Sequence, residues 1–103
     1  MGGEQVKSIL QNDNTKCFLC GMNTNIEPLD CHHIYGASNR KKSEQYGLKV
    51  YLHHNKCHIF GKNSVHQNAD VSNQLKAHAQ KVAMQFYGWD INTFRQIFGK
   101  NYL

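Results

Sequence analysis

Proline and acidic residues are scarce in this sequence. A single proline, Pro28, stands among 103 residues, and no repeat or proline-rich linker divides the chain. Seven acidic side chains face twelve Lys and Arg, a net charge of +5 with the histidines neutral. That balance excludes an acidic disordered tail. No apolar run approaches the ~18 residues of a membrane-spanning helix. The opening MGGEQVKSIL also lacks the charged-then-apolar order of a secretory signal. A cytoplasmic location and no membrane partner are therefore expected. At 11.9 kDa and a mean hydropathy of −0.64 the chain has room for one polar, folded domain, residues 1–103. A core that small is thin, so an internal staple such as a metal ion is a natural expectation.

The positive charge is unevenly placed. Residues 1–30 are net negative, residues 31–68 hold Arg40, Lys41, Lys42, Lys49, Lys56 and Lys62 against Glu44 alone, and residues 69–103 are mildly basic. With a pI near 9.1, a polyanion such as nucleic acid is the expected partner, against the plainer reading of a solvated basic face.

Periodicity predicts a short helix over 4–13 with Val6, Ile9 and Leu10 on one side, then a loop over 14–28. Residues 29–35 read as extended and end at Gly36, and 37–46 read as a polar, basic loop. Gly47 opens a strand in which Leu48, Val50 and Leu52 alternate with Lys49 and Tyr51. Asn55 is placed to cap a short helix from near Lys56, ending around Gly61. From Asp70, residues Val71, Leu75, Ala79, Val82, Ala83 and Phe86 recur at helical steps, with Asp70 as cap and Gly88 as stop. Asn92 caps a final turn or two ended by Gly99. The aromatics Phe86, Tyr87, Trp89, Phe94 and Phe98 read as core, and His78 as a core or rim residue.

Four cysteines and seven histidines are a dense supply of metal ligands. Cys17-Phe-Leu-Cys20 sits between turn formers, and a tight turn at that spacing aims both sulfurs at one tetrahedral ion. A redox dithiol would want βαβ surroundings, and a disulfide framework would want a secretory context. Structural zinc is the stronger reading, with a second ligand pair available in His53-His54-Asn55-Lys56-Cys57-His58.

Taken in order, Cys17-x2-Cys20, Cys31-His32-His33-Ile34-Tyr35-Gly36, Tyr46-Gly47-Leu48-Lys49-Val50-Tyr51-Leu52, Cys57-His58 and Val65-His66-Gln67-Asn68 resemble the HNH (ββα-metal) nuclease superfamily, particularly its small phage-encoded members. The resemblance spans about half the chain. It implies an α+β fold with a treble-clef-like core over about 15–68, a structural zinc, and a C-terminal helical part over about 69–103. It implies that His32 is a ligand of a catalytic divalent metal (Mg²⁺, Mn²⁺, Ni²⁺ or Zn²⁺) and His33 the general base, an imidazole being suited to proton transfer near neutrality. By the same resemblance His58 is a second catalytic-metal ligand. His66 is either the third or a contact to substrate phosphate. The structural Zn²⁺ set is Cys17, Cys20, His54 and Cys57, with His54 preferred over His53 because its three-residue step to Cys57 matches the facing pair. Cys31 is expected to be a packing residue. The family's middle Asn has no counterpart, and Asn39 or Asn68 stands in for it. Arg40, Lys41 and Lys42 are expected to meet DNA phosphates.

The implied function is a metal-dependent endonuclease hydrolysing DNA phosphodiester bonds with backbone-dominated binding. Implied partners are DNA, phage replication, recombination or packaging proteins, and a second copy of the chain as a homodimer, all in the host cytoplasm. The alternative is a zinc-stabilised nucleic-acid-binding module with a degenerate nuclease site. A structural domain of a phage assembly is a third, weaker reading.

Overall fold

The computed structural model describes residues 6–12, 14–21, 28–59, 61–62 and 64–103. It is a small α+β arrangement: β1 (Leu29–His33), α1 (Arg40–Tyr46), β2 (Lys49–His53), a wide helical turn over His54–Ile59, α2 (Ala69–Tyr87) and α3 (Ile91–Phe98). The two strands pair antiparallel, with His33 opposite Lys49, His32 opposite Val50, and Leu29 opposite His53. Leu48, Val50 and Leu52 are fully buried, as their alternation predicts. Lys49, expected to point outward, is buried as well. Among the described residues no helix is long and apolar enough to cross a membrane.

Expectations for two segments before β2 are overturned. Residues 37–46 are not a loop: a 3-10 turn over Ala37–Asn39 leads into α1. Their polar composition hides a helix whose inner contact is Ser43, fully buried, with its hydroxyl donating to the Tyr35 carbonyl and accepting from the Tyr35 N–H. Nor does the stretch expected to be helical over 4–13 form a helix in its described part, 6–12, while residues 4, 5 and 13 lie outside the described residues. It runs beside β2 instead. Ile9 N–H donates to Gly47, the Ser8 hydroxyl donates to the Lys49 carbonyl, and Tyr51 N–H donates to the Gln11 side chain. Phe18 N–H donates to Tyr51 on the same strand. The outer edge of β2 is thereby covered, which a two-stranded sheet needs if that edge is not to pair with another chain.

The C-terminal helices pack on the end of β1. Tyr35 is the hub: its ring lies 5.5 Å from Phe94, 4.6 Å from Phe98 and 5.2 Å from Tyr102, and its hydroxyl donates to the Lys76 carbonyl at 2.5 Å. Helix α2 is capped by Asn68, whose side chain accepts from Asp70 and Val71 N–H, and not by Asp70. Helix α3 is capped by Asp90 through Thr93 N–H, and not by Asn92. In both helices the side chain two residues ahead wins because its oxygen reaches the free amides of the first turn. Gly88 and Gly99 end the helices in left-handed conformation, as expected. Phe94 and Phe98 are core, Tyr87 and Trp89 are half-buried, and Phe86 is exposed, so the expected aromatic core is smaller than the cluster. His78 is exposed beside Phe18 and is therefore a rim residue.

Gly47 joins α1 to β2 at φ +72°, and a Cβ there would sit 2.5 Å from the Lys7 carbonyl oxygen. Gly88 has the same φ of +72° with open space around it. A non-glycine in this backbone region costs ~1–3 kcal/mol before any collision. Gly47→Ala is expected to lose more unfolding free energy in a urea titration than Gly88→Ala, the excess reporting the closeness of the N-terminal segment to β2.

Candidate metal centres

Two clusters of metal-ligating side chains lie on either side of the wide turn that follows β2. In the first, one ligand atom from each of Cys17, Cys20, His53 and Cys57 lies within 4.8 Å of the others. Cys17 and Cys20 come from a tight turn closed by the Gly21 N–H donating to Cys17, His53 is the last residue of β2, and Cys57 follows in the turn. Cys17, His53 and Cys57 are buried, and Cys20 Sγ is 3.2 Å from His53 Nδ1. No disulfide forms among the described residues; all four cysteines are free thiols. Burial works against ionising Cys17, but hydrogen bonds from the Cys20 and His53 backbone and from Cys57 outweigh it and hold the thiol below its usual range. Burial, and then the neighbouring Cys17 and Cys20 sulfurs, push Cys57 up. Three sulfurs crowded together, two of them on buried residues, suit a cation between them. Three sulfurs and one imidazole nitrogen fit the tetrahedral donor set of a closed structural site, so this cluster could hold a metal ion such as zinc.

The histidine of this set is His53 and not His54. β2 runs one residue further than its apolar alternation suggests, so His53 ends the strand buried and lies four residues before Cys57. His54 turns to the opposite side, where its Nδ1 lies 2.5 Å from Asp30 Oδ2. The expected helix from Lys56, capped by Asn55, is replaced by the wide turn itself. Cys31, expected to pack, is exposed on β1 opposite Tyr51 and belongs to neither cluster.

The second cluster joins His32 from β1, His58 from the wide turn and His66, their ligand nitrogens within 4.8 Å of one another. His58 Nε2 and His66 Nε2 are 3.2 Å apart. The eight-residue gap between them is closed by backbone pairing: Val65 N–H donates to Cys57 at 2.9 Å and His66 N–H to His58 at 3.0 Å. Gly61 makes this return, donating to Asn55, and a Cβ there would run into the Lys56 carbonyl. Burial, followed by the neighbouring His58, His66 and His33 rings and Lys76, pushes the His32 pKa down to about 3. Burial and His58 also lower His66. Both imidazoles are therefore neutral near pH 7 and keep a lone pair for a metal.

Two carboxylates that sequence reasoning missed hold His58 and His33. Asp30 Oδ2 lies 2.9 Å from His58 Nδ1 and so accepts its proton, leaving Nε2 free for the cluster. Burial resists ionising Asp30, but His58 and His54 prevail and lower its pKa. The available signal was position: Asp30 is two residues before His32, on the same face of β1. Glu44 Oε1 lies 2.8 Å from His33 Nε2, and its other oxygen lies 2.8 Å from Lys49 Nζ. Neither expected stand-in for a middle Asn is bonded to His33, since Asn39 donates to the Phe98 carbonyl and Asn68 caps α2.

His32, His33, His58 and His66 border one cavity of about 430 Å³, with Arg40 and Lys76 on its rim. Lys76 comes from α2, beyond the segment that carries the motifs. Arg40 and Lys41 border a second hollow beside His33 and Glu44. Lys42 points elsewhere, donating to the Ile97 carbonyl at the end of α3 at 2.6 Å. The three cations sit on a helix, not on a loop. Comparison with known proteins finds no family model, no curated protein and no solved structure that matches the chain.

The closed cluster predicts about one tightly held zinc per chain. Metal analysis should find it lost in Cys17→Ala and His53→Ala, with a large fall in thermal stability because metal binding is part of folding. His54→Ala should keep it. Full zinc retention in His53→Ala would return the fourth ligand to His54.

Proposed function

We propose that the chain is a small metal-dependent endonuclease of the HNH (ββα-metal) type, with a treble-clef-like zinc core and DNA phosphodiesters as substrate. The observation that carries this reading is the convergence of three imidazoles, His32, His58 and His66, on one point beside a fourth, carboxylate-held His33 in a cavity rimmed by Arg40 and Lys76. The order of the ligands along the chain and the +5 net charge support it, as does the resemblance of residues 17–68 to small phage-encoded HNH proteins.

Phosphodiester hydrolysis needs a base for water, a cation at the developing charge, and a hold on the phosphate. His32, His58 and His66 would hold the catalytic metal, and their all-nitrogen set suits Zn²⁺ or Ni²⁺ better than Mg²⁺ or Mn²⁺. That ion would supply Lewis-acid stabilisation of charge on the phosphate and the leaving oxygen. Asp30 fixes the His58 ring so that Nε2 faces the cluster. Arg40 and Lys76 approach from α1 and α2 and would grip phosphate oxygens on two sides. His33 takes the proton of the attacking water. No base-reading element is evident among the described residues, so binding would rest on the backbone.

The rival reading is a zinc-stabilised nucleic-acid-binding module. Rates of plasmid cleavage and DNA affinities separate the two, with Mg²⁺, Mn²⁺, Ni²⁺ and Zn²⁺ each supplied in turn. His33→Ala is expected to cost ~10²–10⁴-fold in rate with little change in affinity. His58→Ala is expected to need more metal and to recover partly when it is added. Wild-type protein that binds DNA and cuts under none of these metals would establish the binding module instead.

The placement of the cations gives a second test. Arg40→Gln with Lys41→Gln and Lys76→Gln should weaken binding about equally across DNA sequences and reduce the salt slope by roughly one unit for each phosphate no longer neutralised. Lys42→Gln should leave the slope unchanged, since its ammonium is engaged at the end of α3. Equal slopes in wild type and triple variant would mean that the cavity rim is not the phosphate-binding face.

A further inference from the structure

Glu44 is the only acidic residue of the basic segment 31–68, and it is divided among three partners. Oε1 lies 2.8 Å from His33 Nε2. Oε2 accepts from Lys49 Nζ at 2.8 Å and from Val6 N–H at 3.1 Å. Lys49 stands directly opposite His33 across the sheet and is 1% exposed, so its ammonium requires a counter-charge. Lys49, ahead of the opposing effect of burial and the help of His33, holds the Glu44 carboxyl well down, to about 2. An ionised carboxylate can only accept hydrogen bonds. The proton of neutral His33 therefore lies on Nε2 and the lone pair on Nδ1. Nδ1 is buried and has no hydrogen-bond partner, while the His33 ring borders the histidine cavity.

We infer that Glu44 is the positioning residue of the proposed nuclease: it fixes His33 in the Nε2–H form and makes Nδ1 the atom that takes the proton from water, with Lys49 as its buried counter-charge. This rests on the reading of the chain as a nuclease. In the step, an O–H bond of water breaks and its proton goes to Nδ1. The water oxygen forms a bond to phosphorus, and the leaving sugar oxygen departs with the bonding pair and takes a proton from solvent. The imidazolium, its Nε2–H against Glu44, then returns its proton to solvent. Glu44 faces the charge that His33 gains, so the carboxylate helps most when the proton has moved.

A plain ion pair that only braces α1 against β2 would have the same contacts, so the test must read the ring itself. Nitrogen-15 NMR of histidine-labelled, zinc-loaded protein reports which nitrogen of His33 carries hydrogen. Glu44→Gln combined with Lys49→Met removes both charges together, so that the buried ammonium is not left without a partner. Wild type is expected to have His33 in the Nε2–H form, and the double variant to have a mixture. In cleavage assays the double variant is expected to lose kcat by ~10–100-fold, with KM, DNA affinity and zinc content unchanged. A wild-type His33 that is Nδ1–H or mixed overturns the inference whether or not the protein cuts DNA. So does a double variant that keeps full kcat. Wild type in the Nε2–H form that cuts nothing would sink the nuclease reading and leave the tautomer assignment standing.

Discussion

Everything in the site depends on how the chain leaves β2. Two pairs of residues offset by one position, His53 with Cys57 and His54 with His58, must face two different ways. Residues four apart stay near one face of a helical turn, while neighbours diverge by roughly 100°. The wide turn over His54–Ile59 meets both demands at once. His53 and Cys57 go to the sulfur cluster, while His58 goes to the histidine cluster with His54 beside it on Asp30. Such widened turns are rare in regular helices and concentrate where function needs them. Here the two clusters share one short segment, so an ion held by the sulfurs would also fix the direction of His58.

The scarce acidic residues are placed where the histidines need orienting. Asp30 accepts from His58 at Nδ1 and frees Nε2, whereas Glu44 accepts from His33 at Nε2 and frees Nδ1. Opposite nitrogens are released because the two rings have different tasks under the proposed function, one to bind an ion and the other to accept a proton. Hydrogen-bonding partners lower both carboxylates, which keeps them ionised and acceptor-only. Buried and crowded, His32 is forced neutral without a carboxylate of its own.

The spacing of ligands was legible in the sequence because it is local. Cys17-x2-Cys20 and Cys57-His58 are short motifs, and Cys17, Cys20 and Cys57 meet as expected, as do His32, His58 and His66. The choice between His53 and His54 was not local: it turned on one more residue of strand pairing, set by the register of His53 with Leu29 across the sheet. Helix α1 was hidden because its inward face is a serine and its partner, Tyr35, lies outside it. Val6, Ile9 and Leu10 have a helical pattern, yet their N–H groups go elsewhere: Val6 donates to Glu44 and Ile9 to Gly47, some forty residues away in the chain, and Leu10 donates to the Ser8 hydroxyl. Asp30 and Glu44 are ordinary acids until the fold brings a histidine to each.

The C-terminal helices belong to the site as much as the half that carries the cysteine and histidine clusters does. Tyr35 follows His32 and His33 by a few residues, and its hydroxyl ties the end of β1 to the Lys76 carbonyl on α2. Phe94, Phe98 and Tyr102 close round the same ring, and Gln80 holds the tail by accepting from Tyr102 N–H and donating to Asn101. Burial raises the Tyr35 phenol well beyond its usual range, so this tie stays a neutral donor near neutral pH. Ser72 and Lys76 on α2 thereby line the same cavity as the histidines. With two strands alone, the histidines would lie on an open ribbon, and two-stranded ribbons are at best marginally stable in water. Packing α2 and α3 against Tyr35 turns that ribbon into one side of a cavity, and it brings Lys76 to the same cavity that Arg40 lines.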